Sequence, residues 1–147
     1  MFLVGIVISL LGLGSYLAAA PPTAGQAAMR STSEGVYSDE QAKRGMSLYL
    51  DECARCHGES LGGGDFGPAI AGDSFFGTWN GKTLHDVFDK VYTTMPLDSP
   101  GRLSRQQYAD LVAYMLQVSH APSGAQMLTA DAPQLKAIQV EWAKPKH

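Results

Sequence analysis

Two cysteines followed at once by a histidine constrain the fold of this chain more than any other feature. Cys53-Ala54-Arg55-Cys56-His57 is a C-x-x-C-H motif and holds both cysteines of the 147 residues. A thioredoxin-like redox pair would need a βαβ setting. A zinc site would need four protein ligands, and no second cysteine pair exists. A plain disulfide would leave His57 without a role. C-x-x-C-H is the attachment signature of c-type haem, so the motif predicts one covalently bound haem c.

The spacing of the motif matches the chemistry of the macrocycle. Two thiols can add across two vinyl groups on one side of the ring, and His57 then lies under the iron as an axial ligand. For the sixth ligand we predict Met95, because it follows a helix end on extended backbone that Pro96 restrains. Methionines on helix faces are more often core residues. The other candidates are Met46, Met115, Met127, His85, His120 and His147.

Capping patterns and apolar spacing predict three main helices. We expect them from Ser38 to about Ala54, from Thr83 to near Thr94, and from Ser104 to near Val118. The glycine-rich stretch 58–82 is expected to be a long irregular loop that wraps a ligand. The tail, 119–147, is expected to hold one short helix near 132–138 and otherwise to lie on the surface. No strand is predicted.

The first twenty residues carry no charged side chain and are mostly apolar. They predict a signal peptide or an N-terminal membrane anchor, followed by a flexible linker over 21–36, a helical domain over 37–118 and the tail. The domain is therefore expected to be periplasmic, either soluble or held at the inner membrane by residues 2–20. The net charge is −3 and no basic cluster is present, which argues against a nucleic-acid partner.

Residues 38–118 resemble the class I cytochrome c family in the order of their motifs. Gly67-Pro68-Ala69 follows the C-x-x-C-H motif, and Met95-Pro96 comes after it. The resemblance implies an all-α fold of three main helices and loops around one haem. It also implies a close crossing of the first and last helices, carried here by Gly45, Tyr49, Leu111 and Tyr114.

The same resemblance assigns two further residues to the cofactor site. The carbonyl of Pro68 would accept a hydrogen bond from the distal ring nitrogen of His57, which orients a metal-bound histidine. Trp79 would donate its indole N–H to a haem propionate. His57 and Met95 would be the iron ligands, and Cys53 and Cys56 the covalent attachment.

Three stretches, 79–83, 93–96 and 103–110, are similar to the mono-haem cytochrome domains associated with bacterial quinoprotein alcohol dehydrogenases. The resemblance implies a single-electron carrier, without catalysis of its own, between a dehydrogenase donor and an oxidase or another cytochrome. Two alternatives stay open. One is a haem enzyme or gas sensor with a labile sixth ligand, and the other is a fixed dehydrogenase subunit that docks through the tail.

Overall fold

Helices make up most of the described part of the chain. The computed structural model describes residues 28–141. Within this range a short 3₁₀ helix over Thr32–Glu34 follows the first strand. The other elements, in chain order, are β1 Arg30–Ser31, α1 Asp39–Glu52, α2 Ala54–His57, α3 Gly72–Trp79, α4 Leu84–Thr94, α5 Arg105–Val118, α6 Ala132–Lys136 and β2 Ile138–Gln139.

The three longest helices begin where the capping patterns predict. Ser38 caps α1 by accepting a hydrogen bond from the backbone N–H of Gln41 at 3.3 Å. Thr83 and Ser104 form reciprocal capping boxes with Asp86 and Gln107 at the starts of α4 and α5. Each cap satisfies backbone donors that have no partner within the helix. The predicted ends of α4 and α5 are also confirmed, whereas α1 ends at Glu52 instead of Ala54.

Helices α1 and α5 cross at a contact that requires glycine. A Cβ placed on Gly45 would lie only 1.9 Å from the carbonyl oxygen of Asp110, so any side chain there would push the helices apart. One turn further, the rings of Tyr49 and Tyr114 meet with their centroids 5.6 Å apart. The close crossing implied by the family resemblance is therefore present.

The stretch 58–82 is not wholly irregular, because it contains α3. The prediction of one long loop is wrong for Gly72–Trp79. Phe75 and Phe76 point into the core with 1% and 4% exposure, and their burial stabilises the helix. The sequence did not predict this helix because it is short and contains Gly72 and Gly77, and glycine disfavours helix.

The tail is part of the core, so the prediction that it lies mainly on the surface is wrong. Leu128, Leu135 and Val140 are at most 2% exposed. The side chain of Gln41, itself fully buried, donates to the carbonyl of Leu128 at 2.8 Å and accepts from its N–H at 2.7 Å. The short helix predicted near 132–138 is present as α6, and the Asp131 side chain caps it by accepting a hydrogen bond from the N–H of Gln134.

The described part of the predicted linker, 28–36, is also built into the fold. Arg30 and Ser31 form a short parallel pair with Ile138 and Gln139, which the sequence did not predict. Thr32 is fully buried and exchanges two hydrogen bonds with the backbone of Glu141, at 3.1 and 3.0 Å. A flexible linker over 21–36 is therefore wrong for its second half.

Within residues 28–141, none of the helices has the length and apolar character needed to cross a bilayer. The signal peptide or anchor predicted for residues 1–20 falls outside the described residues, as does His147.

Candidate functional site

One cavity of about 800 Å³ gathers the residues that the sequence singled out. Its walls come from the end of α1, the turn carrying α2, helix α3, the end of α4 and one side of α5. All six predicted site residues line it, namely Cys53, Cys56, His57, Pro68, Trp79 and Met95. These residues are separated by up to 42 positions in the chain, so the fold and not local sequence brings them together.

Cys53 and Cys56 lie on the wall where α1 gives way to α2, and no disulfide joins them. Burial raises the pKa of the Cys53 thiol to about 11, and the neighbouring Glu52 carboxylate adds to the shift while Arg102 opposes it. Cys53 therefore lacks the lowered pKa that is typical of a reactive redox cysteine.

His57 is held in a fixed orientation by the chain segment opposite it. Its Nδ1 lies 2.8 Å from the carbonyl oxygen of Pro68. Gly67 makes this approach possible, because a Cβ there would lie 2.8 Å from the same ring nitrogen. With Nδ1 engaged by a carbonyl, the tautomer is fixed and Nε2 is the nitrogen able to bind a metal.

Met95 sits just past α4 on extended backbone, at φ −127° and ψ 151°. The Tyr108 hydroxyl donates to its carbonyl oxygen at 2.7 Å, and its N–H donates to the carbonyl of Val91 at 2.9 Å. Among the described candidates for a sixth ligand, only Met95 and Met115 line the cavity. Met115 was interpreted from the sequence as a core residue, and it is indeed buried at 5% exposure.

Trp79 is the last residue of α3 and is half-buried at the cavity wall. The sequence predicted a loop at this position instead of a helix. The ammonium group of Lys82 lies 5.0 Å from the centroid of its ring, so a cation accompanies the indole at this edge. Its hydrogen bond to a propionate stays a prediction.

The cavity fits a haem group in size and chemistry. Its volume lies within the range of roughly 300–1,000 Å³ typical of cofactor sites. Phe66 and Leu97 line it although each is 82% exposed, and a flat apolar ligand in the cavity would cover part of both side chains. Two thiols for attachment, with an imidazole and a thioether as iron ligands, are the groups expected for a covalently attached haem with His/Met ligation.

Sequence reasoning missed the charged groups at the cavity. Arg102 forms ion pairs with Glu52 at the end of α1 and with Asp98, and all three line the cavity. The single arginine of the segment 96–102 is a weak signal in the sequence, because nothing local shows that its side chain will contact the end of a helix fifty residues earlier.

A mostly helical domain whose first and last long helices cross at glycine, with a C-x-x-C-H motif on the wall of a large cavity, defines the class I cytochrome c fold. The family model described as cytochrome c oxidase, cbb3-type, subunit III matches residues 40–115. This match covers just over half of the chain, and the chain belongs to this cytochrome c family. Membership implies haem c as cofactor and haem-based electron transfer as activity.

A search of solved structures found similarity to the crystal structure of the sulfane dehydrogenase SoxCD from Paracoccus pantotrophus. The identity is 28% and the TM-score 0.48, over 75% of this chain and 59% of that one. The chain thus spans less than two thirds of the SoxCD chain that it matches. No curated protein matches the sequence.

Proposed function

We propose that this chain is a single-electron carrier with one haem c attached through Cys53 and Cys56 and ligated by His57 and Met95. The observation that carries the proposal is the convergence of these four side chains on one cavity that fits the group. When bound, haem supplies an iron centre that takes up and releases one electron.

The protein's own contribution would be to hold the side chains of His57 and Met95 still. The Pro68 carbonyl fixes the ring of His57, and the Tyr108 hydroxyl fixes the backbone of Met95. Because neither side chain needs to move when the charge changes, little reorganisation accompanies electron transfer. Ligation by a histidine and a methionine would also raise the reduction potential, which suits a protein that accepts electrons from a dehydrogenase.

In a carrier both His57 and Met95 would bind the iron, whereas a haem enzyme or gas sensor would keep one position open for a substrate. The fixed backbone of Met95 favours the carrier. We further propose that the protein works in the periplasm, either free or anchored through residues 2–20. Its redox partners would be a dehydrogenase as donor and an oxidase or another cytochrome as acceptor, and the family's name supports the oxidase side.

A link to a quinoprotein alcohol dehydrogenase rests on the sequence resemblance of 79–83, 93–96 and 103–110. If the chain is instead a fixed subunit, residues 119–141 are poorly suited to be the docking element, since Leu128, Leu135 and Val140 are used in the core. Docking through this stretch would have to use its exposed side chains.

Carbon monoxide binding tests the carrier function. The reduced protein should bind carbon monoxide slowly or not at all, and a potentiometric titration should follow a single one-electron transition. Rapid carbon monoxide binding to the reduced wild-type protein would contradict the carrier proposal and favour a gas sensor or a haem enzyme.

A further inference from the structure

We propose that Arg102 is a positioning residue for the sixth ligand, holding the segment that carries Met95 against the wall that carries the cysteines. This inference rests on the proposed ligation by Met95. Arg102 is the last residue of the turn that begins at Met95, and its guanidinium reaches across to the final residue of α1.

The ion pairs of Arg102 connect two walls of the cavity. Nη2 donates to the carboxylate of Glu52, immediately before Cys53, and Nη1 donates to Asp98 in its own turn at 3.2 Å. All of these residues line the cavity together with Met95. The guanidinium therefore links the Met95 segment directly to the end of α1.

The placement of Glu52 supports a specific role for this contact. Asp51 and Glu52 occupy the last turn of α1, which contains no basic residue. Carboxylates are unfavourable there, because the carbonyl end of a helix carries partial negative charge. An acidic residue at a helix C-terminus departs from the usual preference for basic residues there, and such departures often mark a functional site. Arg102 supplies the positive charge that the helix end lacks.

The other bonds of the turn do not make this connection. The N–H of Ser99 donates to the carbonyl of Pro96 at 3.0 Å, and the N–H of Gly101 to that of Met95 at 3.4 Å. Both bonds lie within the turn. Tyr108 ties Met95 to α5. Only Arg102, among the side-chain bonds described for residues 95–102, reaches α1.

Arg102 and Glu52 are partly shielded, with side-chain exposures of 36% and 22%. A partly exposed ion pair contributes a modest free energy, and here two carboxylates share one guanidinium. Loss of the pair should therefore loosen the Met95 segment without unfolding the domain. We expect a change of up to about fivefold in any rate that depends on departure of Met95 from the iron.

Imidazole binding to the oxidised holoprotein measures that departure, because imidazole can bind the iron only after the thioether leaves. Arg102→Gln and Glu52→Gln should each raise the observed rate of imidazole binding about two- to fivefold. The double variant should show no further increase, since both changes remove the same contact. Arg102→Lys, which keeps the charge and loses the fork of donors, should recover part of the wild-type rate.

Arg44→Gln is the matched control. Arg44 forms an ion pair with Asp110 at 2.9 Å near the helix crossing and does not line the cavity. Its loss should lower stability and leave the imidazole rate unchanged. Amide hydrogen exchange at Ser99 and Gly101 should rise in Arg102→Gln and not in Arg44→Gln.

Two outcomes would overturn the inference: an imidazole rate in Arg102→Gln equal to that of the wild type, or additive effects of Arg102→Gln and Glu52→Gln. Failure of the underlying ligation would look different. If Met95 does not bind the iron, Met95→Ala will have the spectrum and imidazole rate of the wild type.

Discussion

The hydroxyl of Tyr108 donates a hydrogen bond of 2.7 Å to the carbonyl oxygen of Met95. Tyr108 is fully buried on α5, and its ring packs edge-on against Tyr92 with centroids 5.2 Å apart. Arg105 covers the same aromatic group, 5.2 Å from the Tyr92 ring. The backbone of Met95 is thus fixed by a side chain that does not itself line the cavity, which is how α5 can control the position of the thioether.

Tyr108→Phe should leave the Met95 segment less firmly held, because it removes this hydrogen bond. The carbonyl of Met95 would keep only the longer bond from Gly101, and the free energy of unfolding should fall by about 1 kcal/mol. In the oxidised holoprotein, the weak far-red absorption band that marks a thioether bound to ferric haem should lose intensity.

Tyr37→Phe is the control for Tyr108→Phe. Tyr37 is 1% exposed and its hydroxyl donates to the carbonyl of Ala121 at 2.6 Å, away from the cavity. This variant should lose similar stability and keep the far-red band. Equal bands in the two variants would show that Tyr108 has no influence on Met95.

Met95→Ala and Met115→Leu distinguish the two methionines on the cavity wall. Met95→Ala should abolish the far-red band and allow the reduced protein to bind carbon monoxide. Met115→Leu conserves volume and should cost less than about 1.5 kcal/mol, with the spectrum unchanged. If Met115→Leu instead removes the band, Met115 is the ligand and the assignment of Met95 is wrong.

Gly45→Ala should destabilise the domain, because the added Cβ would overlap the backbone of α5 at Asp110. We expect a loss of about 1–3 kcal/mol in denaturant unfolding, with the helices pushed apart. Gly77→Ala is the matched control within α3, since a Cβ there meets no atom within 4 Å. It should be neutral or stabilising by up to roughly 1 kcal/mol. Similar losses in both variants would argue against a tight crossing.

Leu135→Ala tests whether the tail belongs to the core. Leu135 is fully buried on α6, so its truncation should cost about 2–5 kcal/mol in thermal or denaturant unfolding. Its neighbour Lys136 is exposed, and Lys136→Ala should change stability by no more than about 0.5 kcal/mol. A loss below 1 kcal/mol for Leu135→Ala would mean that the tail contributes little to the fold.

The parts of the fold that follow from local chemistry were predictable from the sequence. The starts of the three longest helices could be predicted, because each capping residue and its partner lie three residues apart. The capping residues are Ser38, Thr83 and Ser104. The cavity residues were also predictable, because the C-x-x-C-H motif and Met95-Pro96 carry their own chemistry.

What the sequence did not predict depends on contacts between distant segments. Thr32 lies in a stretch whose composition is typical of a linker. Its hydrogen bonds to the backbone of Glu141 make it part of the domain. Gln41 looks like a surface cap residue until the backbone of Leu128 pairs with its side chain. Arg102 looks like a solvated turn residue until Glu52 is brought beside it.

The mass of the purified, denatured protein tests the central claim most directly. If Cys53 and Cys56 both attach the cofactor, the mass should exceed that of the polypeptide by one haem. Cleavage after lysine alone should release residues 44–82 as one peptide that contains both cysteines and carries the haem. Cys53→Ala with Cys56→Ala should remove the added mass. A denatured wild-type protein with the mass of the polypeptide alone, obtained from a host that assembles c-type cytochromes, would contradict covalent attachment and the electron carrier built on it.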